Sequence, residues 1–413
     1  MQIISFIKSK ESQLIGLLCS FIILAGILYS LHLGDKLRYP DEWLYYIMAG
    51  NLSSKGLYSL DGINPSACRP PGYSFFLSIF MSMGANLIVL RILNFVMLAG
   101  TLYLIYILLK RECSPVAGLI GAVLVILYPV LFYTAGTFYP QTIGALLFLS
   151  VIYLILSSDL TGKRSAAAGL LMGYLIITIP TFIFQFLLIT IWMKAYKYKI
   201  LYIIIFFIIT CAIISIWQIR NYTAFKSLFF ISANSGKMLL EGNSENAGPN
   251  SGITTDILSY EKNTAGMNEV EKDAYLRDRA FEYICKNKWK SLKLYAGKVL
   301  NYFNYRNELE TKSESSPWKD VIMLFTYGGL LLSFTIRLFY FKYVKLNKFE
   351  LFLIIIYISN AFFSAIFFTR IRYRLPFDFC LIALVALFFY NLSKSQNGSL
   401  FYKDYKNEHT YNI

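Results

Sequence analysis

The 413-residue chain is 56% hydrophobic and only 15% charged, where soluble domains carry roughly 25% charged residues, so an ordinary soluble domain is excluded. Its net charge of +15 would suggest nucleic acid in a soluble protein, but membrane chains collect Lys and Arg in their cytoplasmic loops and nucleic acid is not an expected partner. Two histidines and six cysteines without paired or metal-type spacing leave little room for histidine catalysis or a zinc site.

In chain order, Lys8 and Lys10 precede an uncharged stretch from Leu14 to Leu33. It is longer than a signal-peptide core and no small-residue cleavage site follows, which predicts an uncleaved first span. Further apolar stretches predict spans at 87–109, 115–133, 142–157, 165–180, 181–193, 200–219, 319–340, 349–369 and 375–392. That makes about ten crossings of a ~30 Å hydrocarbon core. The division of 165–193 around Pro180 is the weakest, because 181–193 is short. Gly169 and Gly173 form a small-xxx-small pair that predicts close helix packing.

Lys8/Lys10, Lys110/Arg111, Lys163/Arg164, Lys194/Lys197/Lys199, Lys342/Lys345/Lys348 and the tail from Lys394 share one side if the spans alternate. By the positive-inside rule that side is the cytoplasm, with both termini in it. The count requires that 71–84 not cross; its 14 residues suit a re-entrant or interfacial helix. The expected fold is therefore an all-α polytopic membrane protein with interfacial helices in its first outer loop and a mostly helical outer region.

Four regions follow. Residues 1–219 form a transmembrane module that includes the first outer loop, 34–86; residues 220–318 face outward; 319–393 hold the last spans; 394–413 form a cytoplasmic tail. The outer region begins with a Gly/Asn/Ser-rich loop and reads helical from Val270 to Phe303. There Tyr275, Ala280, Ile284, Leu292, Tyr295 and Val299 form an apolar stripe, the mark of a helix on a domain or bilayer surface. Only Cys68 and Cys285 face outward, and no disulfide is expected between them.

The first outer loop carries Asp41-Glu42 after Pro40, and a helix over 41–55 would put Asp41 at its N-terminus, where the dipole favours a carboxylate. By composition alone this is a solvated acidic pair. Arg69, Arg91, Arg220, Arg370, Arg372 and Arg374 lie on the outer side or at outer span ends, against the positive-inside bias. Interfacial snorkelling explains Arg91 well enough. For the others, guanidinium binds phosphate bidentately and stays charged when partly buried.

The run Asp41-Glu42-x2-Tyr45-x3-Ala49-x-Asn51-Leu52, then Arg69-Pro70-Pro71-Gly72-Tyr73, then Trp217-x2-Arg220-Asn221-Tyr222 with Gly242-Asn243, then Arg372-Tyr373-Arg374-Leu375-Pro376 resembles the C-type membrane glycosyltransferases. Within them it is similar to the superfamily of dolichyl-phosphate-mannose–protein mannosyltransferases and aminoarabinose transferases. The resemblance covers most of the chain in the expected order. It implies an inverting transfer of a sugar from a polyisoprenyl-phosphate donor to a glycan, lipid or protein acceptor at the outer face of the cell (inner) membrane. It implies Asp41 as the catalytic acid–base residue beside Glu42, and Arg69, Arg220 and Arg372, with Arg370 and Arg374, as donor-phosphate ligands. Tyr45, Tyr73 and Gln141 would line the substrate.

Asp41 would act as a base or, since hard cations prefer carboxylate oxygen, bind a divalent metal; the sequence leaves both open. Many relatives have a second acid where this chain has Gln141, which makes a metal bridged by two carboxylates a poorer fit unless Glu42 substitutes. Two other readings compete: a flippase of lipid-linked sugars and a polysaccharide polymerase. A transporter would place ionisable groups near mid-membrane, whereas here the charges gather at one face. A polymerase does not call for an acidic pair so soon after the first helix.

Overall fold

The computed structural model describes residues 2–306, 316–340 and 345–396, all of whose regular structure is helical. The expected tail beyond Gln396 and Lys342 lie outside the described residues. The first group of helices is α1 (Gln2–Leu33), α2 (Pro40–Lys55), α3 (Pro71–Ser82), α4 (Leu87–Glu112), α5 (Pro115–Ile126), α6 (Pro129–Ala135), α7 (Gln141–Ile155), α8 (Gly162–Thr178), α9 (Phe182–Ala195) and α10 (Ile200–Phe225). Four helices follow outside the apolar stretches: α11 (Ser235–Gly242), α12 (Leu258–Lys262), α13 (Glu269–Lys286) and α14 (Lys288–Tyr302). The chain ends with α15 (Pro317–Met323), a π-helical turn leading into α16 (Gly329–Phe339), then α17 (Lys348–Ile366) and α18 (Ile371–Gln396).

Among the described residues, six helical stretches are long and apolar enough to cross a membrane: Lys10–Leu33, Leu87–Glu112, Ile200–Phe225, Pro317–Phe339, Lys348–Ile366 and Ile371–Ser393. A seventh, α5 with α6, is bent by 65° where Pro129 lacks an N–H and forces the preceding residue out of the helical region. The expected spans at 142–157, 165–180 and 181–193 appear as the shorter α7, α8 and α9. The 15 residues of α7 rise only ~22 Å. The chain leaves the helix between Thr178 and Phe182, around Pro180. Among the crossing segments α18 is the most enclosed, whereas α1 and α10 leave most of their surface outside the bundle.

Contacts sort the helix ends into two groups. At one end Arg91 of α4 donates to the carbonyls of Gly34 and Lys36, just past α1. At the other, Lys110 of α4 pairs with Glu11 of α1 at 2.6 Å, and Arg111 donates to the Tyr153 carbonyl of α7. Gly72 at the start of α3 packs on Thr178 at the end of α8 so closely that a Cβ would lie 2.1 Å from the threonine hydroxyl. α3 begins and α4 begins at that first end, and 12 residues span only ~18 Å, so 71–84 does not cross. Gly169 and Gly173 let α10 approach α8, with Ile209 and Ile213 in the space their side chains would fill.

The single helix expected over 270–303 is two helices, broken at Asn287, whose backbone (φ −120°, ψ 48°) is non-helical. The stripe differs too: α13 buries Asp273, Leu276 and Ala280, because Asp273 turns inward to accept the N–H of Gly236 at the head of α11. Leu239, Leu240, Ile257, Leu276 and Ala280 form a small core of their own. All six cysteines are free thiols.

Candidate functional site

At the head of α2 the residue before the helix, Tyr39, is extended, and Pro40 supplies a first helical position that needs no N–H. Glu42 then folds back. One carboxylate oxygen accepts the backbone N–H groups of Arg38 and Tyr39, and the other accepts that of Phe138 at 3.0 Å. Fully buried, Glu42 staples the loop before α2 to the turn after α6. It leaves no lone carboxylate oxygen for chemistry, so the expected acidic pair divides into one structural and one accessible acid.

Asp41 is the accessible one. Its Oδ1 accepts from Arg69 Nη2 at 2.7 Å and its Oδ2 from Arg372 Nη1 at 2.6 Å, with all three side chains about a fifth to a quarter exposed. The partners come from positions 28 and 331 residues away, so the fold itself assembles this cluster. Burial alone would raise the Asp41 pKa, but the Arg372 and Arg69 charges outweigh it and hold the carboxyl down at about 2. Arg372 also lies over the rings of Tyr139 and Tyr373, at 5.2 and 5.1 Å.

Arg69 is aimed by the arm that carries it. Tyr58 donates its hydroxyl to the carbonyls of Arg69 and Pro70. Arg220 supports the same arm from α10, donating to the carbonyls of Tyr58 and Ser66 at 3.0 Å and stacking on Trp217. Glu269 closes the far side by accepting from Ser66 Oγ and the Ala67 N–H, each at 2.7 Å. Arg220 therefore acts on backbone, one layer behind Arg69.

Arg374 is not brought to Asp41. It is almost fully buried, paired with Asp378 at 3.0 Å, donates to the Tyr302 and Asn304 carbonyls and lies 3.4 Å from the Tyr327 ring centroid. Its helix turns it away from Arg372, into the bundle, where it ties α18 to the end of α14. Arg91 follows the same pattern, buried with its guanidinium on two loop carbonyls. Snorkelling, expected for Arg91, is replaced by this clamp. Tyr45 and Tyr73 are core residues, stacked edge to face, with the Tyr73 hydroxyl on Asn94. Gln141 is buried beside a small cavity it shares with Thr101, Thr134 and Thr142, and its Oε1 has no hydrogen-bond partner. The substrate-lining expectation does not fit these three.

Two buried charged residues that nothing in the sequence marked lie at the two sides of the end of α11. Glu241, near the end of α11, is only 5% exposed. Burial pushes its carboxyl up to about 7 against the opposing charges of Lys237, Arg370 and Arg69. Arg370, itself buried, thus stands between the Arg372 segment and this second acid. Lys298 of α14 is fully buried and donates to the Gly242 carbonyl, Asn243 Oδ1 and the Phe367 carbonyl, at 3.0, 3.0 and 2.8 Å. Gly242-Asn243 was a motif pair in the sequence; nothing in the pattern marked Glu241 or Lys298.

Both Asp41 oxygens are taken by guanidinium nitrogens, and among the described residues no group of three or more His, Cys, Asp or Glu side chains could hold a metal ion. A divalent ion would have to displace an arginine from Asp41, so the donor set favours an anionic ligand for the arginines over a cation for the acid.

No family model matches the chain, and no curated protein does. Among solved structures it is similar to ArnT from Cupriavidus metallidurans in the apo state, at 11% identity over 90% of this chain and 77% of that one, with a TM-score of 0.42. It is also similar to the same protein bound to undecaprenyl phosphate, at 12% identity over 92% and 79%, with a TM-score of 0.41. Likeness of that degree does not assign chemistry, which has to come from the residues of the site.

Proposed function

We propose that the protein is an inverting glycosyltransferase that moves a sugar from a polyisoprenyl-phosphate donor to an acceptor hydroxyl or amine at the outer membrane face. The observation that carries the reading is the Asp41–Arg69–Arg372 cluster: one partly exposed acid and two guanidinium groups at the same end of an apolar bundle. The acceptor attacks the anomeric carbon, the bond from that carbon to the phosphate oxygen breaks, and the electron pair leaves with the lipid phosphate. Its added negative charge is what Arg69 and Arg372 stabilise. The acceptor's proton goes to Asp41.

A carboxyl held at about 2 is a weak base. Donor phosphate competes with Asp41 for the two arginines, and as they turn to it the acid loses the charges that depress its pKa. The site is thereby set to activate its base only when donor is bound. Arg370 adds a buried positive charge behind the cluster, and the acceptor is a glycan, a lipid or a protein.

The test is transfer from a labelled polyprenyl-phosphate sugar in membranes holding the wild type or Asp41→Asn. Loss of a general base lowers turnover by about 10²–10⁴-fold. Undiminished transfer by Asp41→Asn removes the assigned base; label that crosses the bilayer without being transferred by the wild type makes the protein a flippase instead.

A further inference from the structure

Beside the site, on the far face of α11, lies a groove of about 640 Å³, within the ~300–1,000 Å³ of small-ligand sites. Its walls are apolar: Leu239 of α11, Phe281 and Ile284 of α13, Leu292 of α14, and Ile366 and Phe367 where α17 ends. Two cations stand in the lining, Arg277 and Lys288. The Arg277 Nε is 3.6 Å from Asp278, a largely exposed acid outside the lining. Ser291 of the same lining is only 8% exposed, and its hydroxyl has no hydrogen-bond partner. A buried hydroxyl left without a partner is uncommon and marks a place where a polar group of a ligand fits.

The position of the groove narrows the occupant. Tyr295 of its lining donates to the Phe362 carbonyl of α17, so α14 lies against the end of a membrane-crossing helix. Phe362 and Ile366 there are 46% and 37% exposed, giving the groove an apolar edge toward the bilayer. Along α14, Trp289, Leu292 and Leu300 are exposed on roughly one face, with Lys288, Lys290 and Lys293 among them. An apolar stripe set among lysines is the form of a helix seated in a headgroup layer.

We propose that this groove binds an anionic phospholipid of the surrounding leaflet, with an acyl chain between Phe281, Leu292 and Phe367 and the phosphate at Arg277, Lys288 and the Ser291 hydroxyl. The chain enters sideways past Ile366 without crossing water. This holds whether or not the neighbouring site transfers a sugar.

The experiment is native mass spectrometry of the full-length protein released from nanodiscs of phosphatidylglycerol or of phosphatidylcholine. Wild type retains phosphatidylglycerol and releases phosphatidylcholine. R277Q/K288Q, altered at side chains outside any core, retains phosphatidylglycerol about 30-fold less, the loss of two basic contacts to an anionic headgroup. Ser291→Phe keeps both cations but fills the groove, and it also loses the lipid. The proposal is overturned if wild type retains neither lipid or both alike, or if the two variants hold phosphatidylglycerol as well as wild type does.

Discussion

Asp41 is held by two ion pairs, so its behaviour depends on which arginine remains. The two arginines keep the acid ionised down to about pH 2, so the acid limb of kcat/KM for wild type is expected below the working range. Arg372→Ala removes the stronger of the two opposing charges and leaves burial less opposed, so the limb moves up into or above the ordinary carboxylate range near 4. A kcat/KM profile measured from pH 3.5 to 8 shows the shift; a profile unchanged in shape would mean that Arg372 does not govern Asp41. Glu241 gives a second test, on stability. Its folded pKa is raised from 4.5 to about 7, so its contribution is complete below pH 4.5 and lost as pH rises through 7. Stability is expected to fall between pH 4.5 and about 7, by up to ~3 kcal/mol, seen as a falling Tm, and Glu241→Gln to flatten that slope. Arg69 and Arg372 were legible in the sequence because arginines on the wrong side of the charge bias are conspicuous; Asp41 was marked only by the resemblance, since composition alone made it one of a solvated acidic pair. The role of Glu42 was not, because it depends on the N–H of Phe138, 96 residues away. For the same reason Arg220 and Arg374 read like Arg69: sequence gives the charge at the interface but not its partner, which is backbone for Arg220 and the buried Asp378 for Arg374.

At the scale of elements, α11 is a short helix placed with little freedom. Gly236 at its head touches the Asp273 carbonyl, where a Cβ would come within 1.9 Å, and Gly242 at its end meets the Phe367 carbonyl at the same distance. Lys298 then bonds the end of α11 to the segment between α17 and α18. This buried ammonium has three oxygen acceptors and no carboxylate, so burial pushes its pKa down, to about 7. Lys298→Met leaves those oxygens unsatisfied, and a cost of about 2–4 kcal/mol is expected, seen as a lowered Tm. Because the same turn leads to Arg372, transfer should fall too; a variant with wild-type Tm would show that the three bonds contribute nothing. Helix existence was well marked in the sequence here and helix continuity was not. The 3.6-residue pattern runs through Asn287, while the break follows from how α13 and α14 pack on different partners, α11 and α17.

Across the whole molecule, the basic loops that join the spans gather at one end, where Lys110 meets Glu11 and where Arg337 and Glu350 form a buried pair at 2.9 Å; the Asp41 cluster lies at the other, which also carries the lysines of α14. Gly169 and Gly173 set α8 and α10 parallel, since Phe206 and Ile209 face the first glycine and Ile213 the second. A parallel pair joined through α9 requires α9 to run back between the two ends, so even this short helix belongs to the alternation that the basic loops suggested. If the lysine-rich end is cytoplasmic, Gly248, in the loop after α11, faces outward and Lys345, before α17, faces inward. Cys285 is exposed near the groove and Cys68 is partly exposed on the same side, and both are free thiols that would themselves react, so the test needs a Cys68→Ser/Cys285→Ser background carrying either Gly248→Cys or Lys345→Cys. An impermeant maleimide applied to intact cells should label the first and reach the second only after the membrane is opened. Labelling of Lys345→Cys alone from outside would turn the protein over and put Asp41 on the side where a donor headgroup facing outward could not meet it.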